Sequence, residues 1–264
     1  MTDPRDELVE RVAQLYEDKW GITDHWLARA AIDMALCIST GVPFHGAQTK
    51  KGPVLYAIGE GIRGLKYRIE SWKLAHPEAN VDDIEANFHV IPLAPRLLEK
   101  EQAGMLVNTA TELAEVTGLK LVIIDTWARA LTGGDENSAG DAGVAVDILD
   151  TVRRKTGATT LVVHHSGADG TRERGSTALR AAADTSIAMM KNEQDGVISF
   201  ICKKQKDAEP FKTVKFCLQA YGHSVVLARQ PEYGSPGIGQ QYTAPTRSSY
   251  DYAAAAAARN SGPF

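Results

Sequence analysis

Apolar positions along the chain fall into two rhythms. Between residues 5 and 19, Leu8, Val12, Leu15 and Tyr16 recur at helical spacing with charges around them, which predicts an amphipathic helix ended by Gly21. A second helix is expected from about Asp24, a suitable N-cap, through Leu27, Ala31, Met34, Ala35 and Ile38 to Gly41. Five short apolar runs follow: VLYAIGEG at 54–61, FHVIPL at 88–93, LKLVIIDT at 119–126, TTLVVHHSG at 159–167 and TSIAMMK at 185–191. Helix-length segments separate most of them, and that alternation predicts an α/β fold with a mainly parallel central sheet flanked by helices. VISFICKKQKD, FKTVKFCLQA and SVVLARQ are joined by short polar turns, which predicts an antiparallel C-terminal edge to that sheet. From residue 231 on, Gly, Pro, Ser and Ala replace the large aliphatics, the composition of a disordered tail. The expected organisation is an N-terminal amphipathic helix over 1–22, one domain over 23–230 and a tail over 231–264.

Composition narrows the function classes. With 264 residues and 44% apolar content the chain can bury a sizeable core, so the membrane and disordered classes drop out. A net charge of −4 leaves no overall basic field to recruit nucleic acid or anionic lipid, only room for a local patch. Cys37, Cys202 and Cys217 are odd in number and lack CxxC spacing, which excludes a disulfide framework, gives no metal signature and suits a reducing, cytoplasmic setting. The charged start MTDPRDELVE does not read as a secretory signal, and no run approaches the roughly 18 apolar residues that cross a bilayer.

Chemistry-bearing residues gather at the ends of the apolar runs. In LKLVIIDT the aliphatic stretch leads to Asp125, at the strand edge where open α/β sheets bind ligands. A carboxylate there can hold Mg²⁺, directly or through water, or simply close the strand end. VLYAIGEG sets Glu60 between glycines at another strand end, suited to polarising a water. Gly59, Gly61 and Gly64 also satisfy GxGxxG after a strand, which alone would suggest a dinucleotide site with Asp82 or Asp83 as the ribose acid. His164 and His165 end the fourth run, and alternation lets only one of them face a ligand. The polar segment that follows carries Arg172, Arg174 and Arg180 and suits contact with phosphates. Lys203, Lys204 and Lys206 form a tight basic cluster at the end of another run.

Taken in order, IDMALCISTGVPFHG, GPVLYAIGEG with LKYRI, LVIIDTWARALTGGDENSAGD, LVVHHSGADGTRERGSTALRAAAD and CKKQKDAEP resemble the RecA-like, AAA-family ATPases of the RepA hexameric replicative helicase family. The resemblance spans roughly residues 27–230 and implies a P-loop NTPase fold, ATP with Mg²⁺, a homo-oligomeric ring and single-stranded DNA as partner. It likens Glu60 to the catalytic glutamate, Asp125 to the Walker B aspartate and metal ligand, and His165 to the phosphate sensor. Lys204 or Lys206 is similar to the finger supplied across a subunit boundary, and residues 169–176 would face the ring's channel, with Arg172, Arg174 and Arg180 on DNA.

The chain departs from that pattern at one place. Counting back from the second helix brings residues 21–28 into register with the phosphate loop G-x-x-x-x-G-K-[ST], of which Gly21 alone remains. Trp26 stands in the place of the second glycine, Leu27 of the lysine and Ala28 of the hydroxyl that holds Mg²⁺. Arg29 and Lys19 are the nearby cations that could replace the lysine, although neither restores the amide nest. The resemblance thus implies either an ATP-driven DNA motor or a non-hydrolysing ring subunit or replication accessory.

Overall fold

The computed structural model describes residues 25–165, 176–192 and 194–230. The expected helix over 1–22 and the tail over 231–264 lie outside the described residues.

Helix α1 (His25–Thr40) follows the expected periodicity, and its last turn bends its own hydroxyls inward: Ser39 and Thr40 donate to the carbonyls of Ala35 and Leu36 at 2.8 Å. Gly41 then adopts φ 82° and stops it. Next come β1 (Val54–Ile58), α2 (Ile62–Ala75), α3 (Val81–Asn87), β2 (Phe88–Ile91), α4 (Lys100–Thr117), β3 (Leu121–Asp125), α5 (Trp127–Ala130), α6 (Ala139–Thr156) and β4 (Thr159–Val163). The four strands form a parallel sheet in the order β2-β1-β3-β4, with Ile58 beside Asp125 where β1 and β3 end. This is the expected α/β architecture of the P-loop NTPase kind.

The period-two alternation of β1 and β3 sorts their side chains between two cores. Leu55, Ala57, Val122 and Ile124 pack with Leu106 and Ala110 of α4 and Ala145 and Leu149 of α6. Val54, Tyr56, Ile58, Leu121 and Ile123 pack with Ala35 and Leu36 of α1 and Leu65 and Trp72 of α2. Both strands are buried from end to end, and each buried aliphatic side chain stabilises the fold by roughly 1.5–3 kcal/mol. The same alternation carries Asp125, two residues beyond Ile123, to the face covered by α1 and α2.

The C-terminal strands depart from expectation. After α7 (Ala178–Ala182) come β5 (Thr185–Lys191), β6 (Ile198–Gln205), β7 (Val214–Tyr221) and β8 (Ser224–Arg229), which form a second, wholly antiparallel sheet in chain order rather than an edge of the first. The run at 185–191, read as a fifth parallel strand, belongs to it. A hairpin-length link joins β5 to β6, so local antiparallel pairing is available, whereas a parallel partner needs a crossover of a dozen or more residues. One face of this sheet, through Ile198, Phe200, Phe216 and Leu227, packs on Ala30 and Trp26 of α1. No helix among the described residues is long and apolar enough to cross a membrane.

Candidate functional site

The carboxylates singled out in the sequence meet at the edge where the parallel strands end. Asp125 closes β3 at 1% exposure, and Glu60 stands two residues beyond the end of β1, its neighbour in the sheet. A hydrogen bond from the Gly59 amide to the Asp125 carbonyl clamps the two strand ends together. The clamp needs a glycine, because a Cβ at residue 59 would stand 2.7 Å from the Ala94 Cβ and 3.0 Å from the Asp125 carbonyl oxygen. Gly61, at φ 68°, then turns the chain into α2.

Each carboxylate has partners from within the chain. The Tyr56 hydroxyl donates to Asp125 Oδ2 at 2.6 Å. Arg68, on α2, brings its positive charge to bear on both Tyr56 and Asp125, and its Nη2 lies 2.5 Å from where a Gly61 Cβ would stand. Burial pushes the Asp125 carboxyl above the ordinary carboxylate range, with Glu60 adding to the effect; the Tyr56 bond and the charges of Arg68 and His165 oppose it. Glu60 Oε1 accepts from Arg129 Nε at 2.7 Å, in an ion pair about half exposed on both sides. His165 lies just past the end of β4, and its charge reaches Asp125, so of the two histidines it has a resolved link to the site.

At the start of α1 the space is taken by apolar side chains. Trp26 packs against the core of the antiparallel sheet, with Lys191 Nζ 5.6 Å from its ring centroid, and its buried Nε1 has no hydrogen-bond partner. Leu27 packs into the α1–α2 core, and Ala28 beside it carries no oxygen. Arg29 is drawn away to β8, where its Nη1 donates to Ser224 Oγ at 2.8 Å and to the Val225 carbonyl at 3.1 Å. Gly21 and Lys19 lie outside the described residues.

Mg²⁺ takes oxygen ligands in octahedral geometry and keeps several waters. The residues here do not fit that requirement: Asp125 is buried and accepts from the Tyr56 hydroxyl, Glu60 accepts from Arg129, and Ala28 offers no hydroxyl. The dinucleotide alternative fails for a topological reason. Asp82 and Asp83 open α3, ahead of β2, and Asp83 pairs at 2.6 Å with Lys51, which precedes β1, so they sit where the strands begin and the glycine turn sits where they end.

The remaining expected residues are placed as follows. Lys204 Nζ donates to the Arg180 and Ala181 carbonyls at 3.0 and 2.8 Å, closing the C-terminal end of α7. Lys206 pairs with Asp184 at 2.8 Å, which lowers the Asp184 carboxyl and raises the lysine. Arg180 is exposed on α7, whereas Arg172 and Arg174 lie outside the described residues. The sequence reading missed Tyr56, Arg68 and Arg129. Tyr56 was open to inference, since two-residue spacing from Ile58 puts it on the face that Asp125 shares.

No curated protein matches the chain. A family model described as an AAA domain matches residues 29–171, more than half of the chain, beginning just past the segment in register with the phosphate loop and taking in Glu60, Asp125 and His165. With paired carboxylates at neighbouring ends of a parallel sheet and this match across that sheet, the chain belongs to the AAA domain family.

Proposed function

We propose that the chain is a RecA-like ring subunit of the RepA helicase type, from plasmid or phage DNA replication, which contacts single-stranded DNA and does not turn over ATP by itself. The observation that carries this reading is the packing of Trp26 and Leu27 into two apolar cores at the start of α1. A triphosphate at that position would lose the amide nest, the lysine and the hydroxyl together, and its buried charge would go uncompensated. Asp125 supports the same reading, since it is buried at 1% exposure and its Oδ2 accepts from the Tyr56 hydroxyl.

DNA contact falls to Arg172, Arg174 and Arg180, which can neutralise phosphates despite the net charge of −4. Lys206 serves the subunit boundary, its bond to Asp184 being exposed and therefore open to exchange for a partner's group.

The test uses the full chain. Calorimetry with Mg-ATP is expected to show no micromolar binding, while anisotropy with a labelled single strand shows binding that weakens steeply with salt and falls in Arg174→Ala. Sedimentation is expected to show an oligomer that Lys206→Ala loosens. Tight Mg-ATP binding refutes the non-hydrolysing reading. A monomer that ignores DNA at low and physiological salt refutes the ring reading.

A further inference from the structure

Between α1 and β1 the chain makes a tight turn whose side chain the strand-end site does not use. Phe44 and Ala47 exchange two backbone hydrogen bonds of 2.9 Å, and the residues between them, His45 and Gly46, take φ of 49° and 92°. Two consecutive positive φ values belong to the two-residue hairpin turn in which Asn-Gly or Asp-Gly is the usual choice. A histidine at the first of these positions asks for a reason beyond the turn, and its ring supplies one.

That ring enters the molecule. The His45 side chain is 11% exposed, its ring centroid lies 4.6 Å from that of Phe44 and 4.7 Å from that of Phe216 on β7, and its Nε2 stands 2.7 Å from Asp33 Oδ2. Asp33 sits in the middle of α1, where aspartate is a poor helix former, and it is buried, so its oxygens must find partners inside the fold. Oδ1 accepts from Trp72 Nε1 of α2 at 2.7 Å and from the Cys37 thiol at 3.6 Å. Burial pushes that thiol up, so it keeps its hydrogen and donates. On the backbone side of the turn, the His45 carbonyl accepts from Arg229 Nη1 of β8 at 2.8 Å. One residue thus joins α1, and through Asp33 also α2, to two strands of the antiparallel sheet.

We propose that the turn over 44–47 is a latch: His45, set between Phe216 and Asp33, holds the antiparallel sheet on α1 and α2, and breaking this contact makes that sheet easier to open than the parallel one. His45 is a positioning residue in this device. The sheet it holds carries Lys204 and Lys206, so the latch also fixes where the proposed subunit boundary lies on the domain. Neither DNA nor assembly enters its test, so the latch and the proposed function can fail separately.

Hydrogen exchange of the full chain, read by mass spectrometry, tests it. In the parent, peptides from β7 and β8 are expected to exchange together with those from β1 and β3. His45→Asn keeps a residue that favours the turn and removes the ring. Exchange in β7 and β8 should then rise about 10- to 100-fold, the range expected when a buried acceptor loses its donor, and should outpace exchange in β1 and β3. Exchange as slow as in the parent would mean that the residue serves the turn alone, and an equal rise in all four strands would mean that it serves general packing; either result overturns the proposal. Asp33→Asn should reproduce the selective rise, and in the His45→Asn background it should add less than half of its own effect on a logarithmic scale. Full addition would show that the two side chains are uncoupled, and the proposal falls. Should a variant fail to fold, the parent decides by nuclear magnetic resonance: the hydrogen on His45 Nε2, identified through the contact of its ring with Phe216, is expected to outlast transfer into D₂O, and its immediate loss overturns the latch.

Discussion

Tyr56→Phe removes one oxygen from a buried position and leaves the ring packing in place. In the folded chain that oxygen donates to Asp125 Oδ2 at 2.6 Å, with the ring fully buried and the carboxylate 1% exposed, so water cannot replace it. A hydrogen bond to an ionised group contributes about 1.5–3 kcal/mol, and one between neutral groups about 0.5–1.5 kcal/mol. Which value applies depends on pH. Burial raises the folded Asp125 acid above its ordinary value of 3.8, so the folded chain holds this proton to higher pH than the unfolded chain does. The group's contribution to stability is therefore largest at low pH and declines as pH rises from the unfolded value through the folded one. As pH rises through the folded value, the partner that Tyr56 faces passes from a protonated carboxyl to an ionised one. Taking about 2 kcal/mol for the ionised partner and about 1 kcal/mol for the neutral one, at about 2–4 °C of melting temperature per kcal/mol for a domain of this size, the variant should melt about 4–8 °C below the parent where Asp125 is ionised and about 2–4 °C below it where Asp125 is protonated. Thermal unfolding followed by circular dichroism measures both, and Asp125→Asn should remove the pH dependence of the difference. A loss that does not grow as pH rises would refute the coupling of Tyr56 to an ionising Asp125.

Two further substitutions test the surroundings. Gly59→Ala places a methyl 2.7 Å from the Ala94 Cβ and should cost about 1–3 kcal/mol by overpacking, read as a lower urea midpoint; an unchanged midpoint would show that the strand ends are not clamped there. Trp26→Ala strips the start of α1 of its packing on the antiparallel sheet and should destabilise by about 2–4 kcal/mol without creating Mg-ATP affinity; a gain in affinity would show that the indole alone had blocked the phosphate site.

The parallel core was legible because its signals are local. LVIID is a run of aliphatics ended by a carboxylate, and nothing but a buried strand accommodates it. Alternation and spacing likewise led to Glu60 and Asp125 as residues at strand ends, and the break in the phosphate loop was visible as Trp26, Leu27 and Ala28. Less legible was anything set by pairing between distant segments. TSIAMMK has the same apolar character whether it joins a parallel or an antiparallel sheet, and only its hairpin with ISFICKKQ decides. The bond from Arg129 to Glu60 was hidden for a similar reason: an arginine in a helix reads as a solvated face until the helix is docked.

The antiparallel sheet is fastened to the parallel layer at several independent points. Arg29 reaches the Val225 carbonyl, Ser71 Oγ donates to the Tyr221 carbonyl at 2.5 Å, and Val226 packs in the same core as Tyr56 and Trp72. A chain shortened at residue 184 would uncover the outer sides of α1 and α2 and leave those polar groups unanswered. Unfolding should then be cooperative across both sheets, with a single transition in which the strand-end carboxylates and the C-terminal hairpins lose their order together.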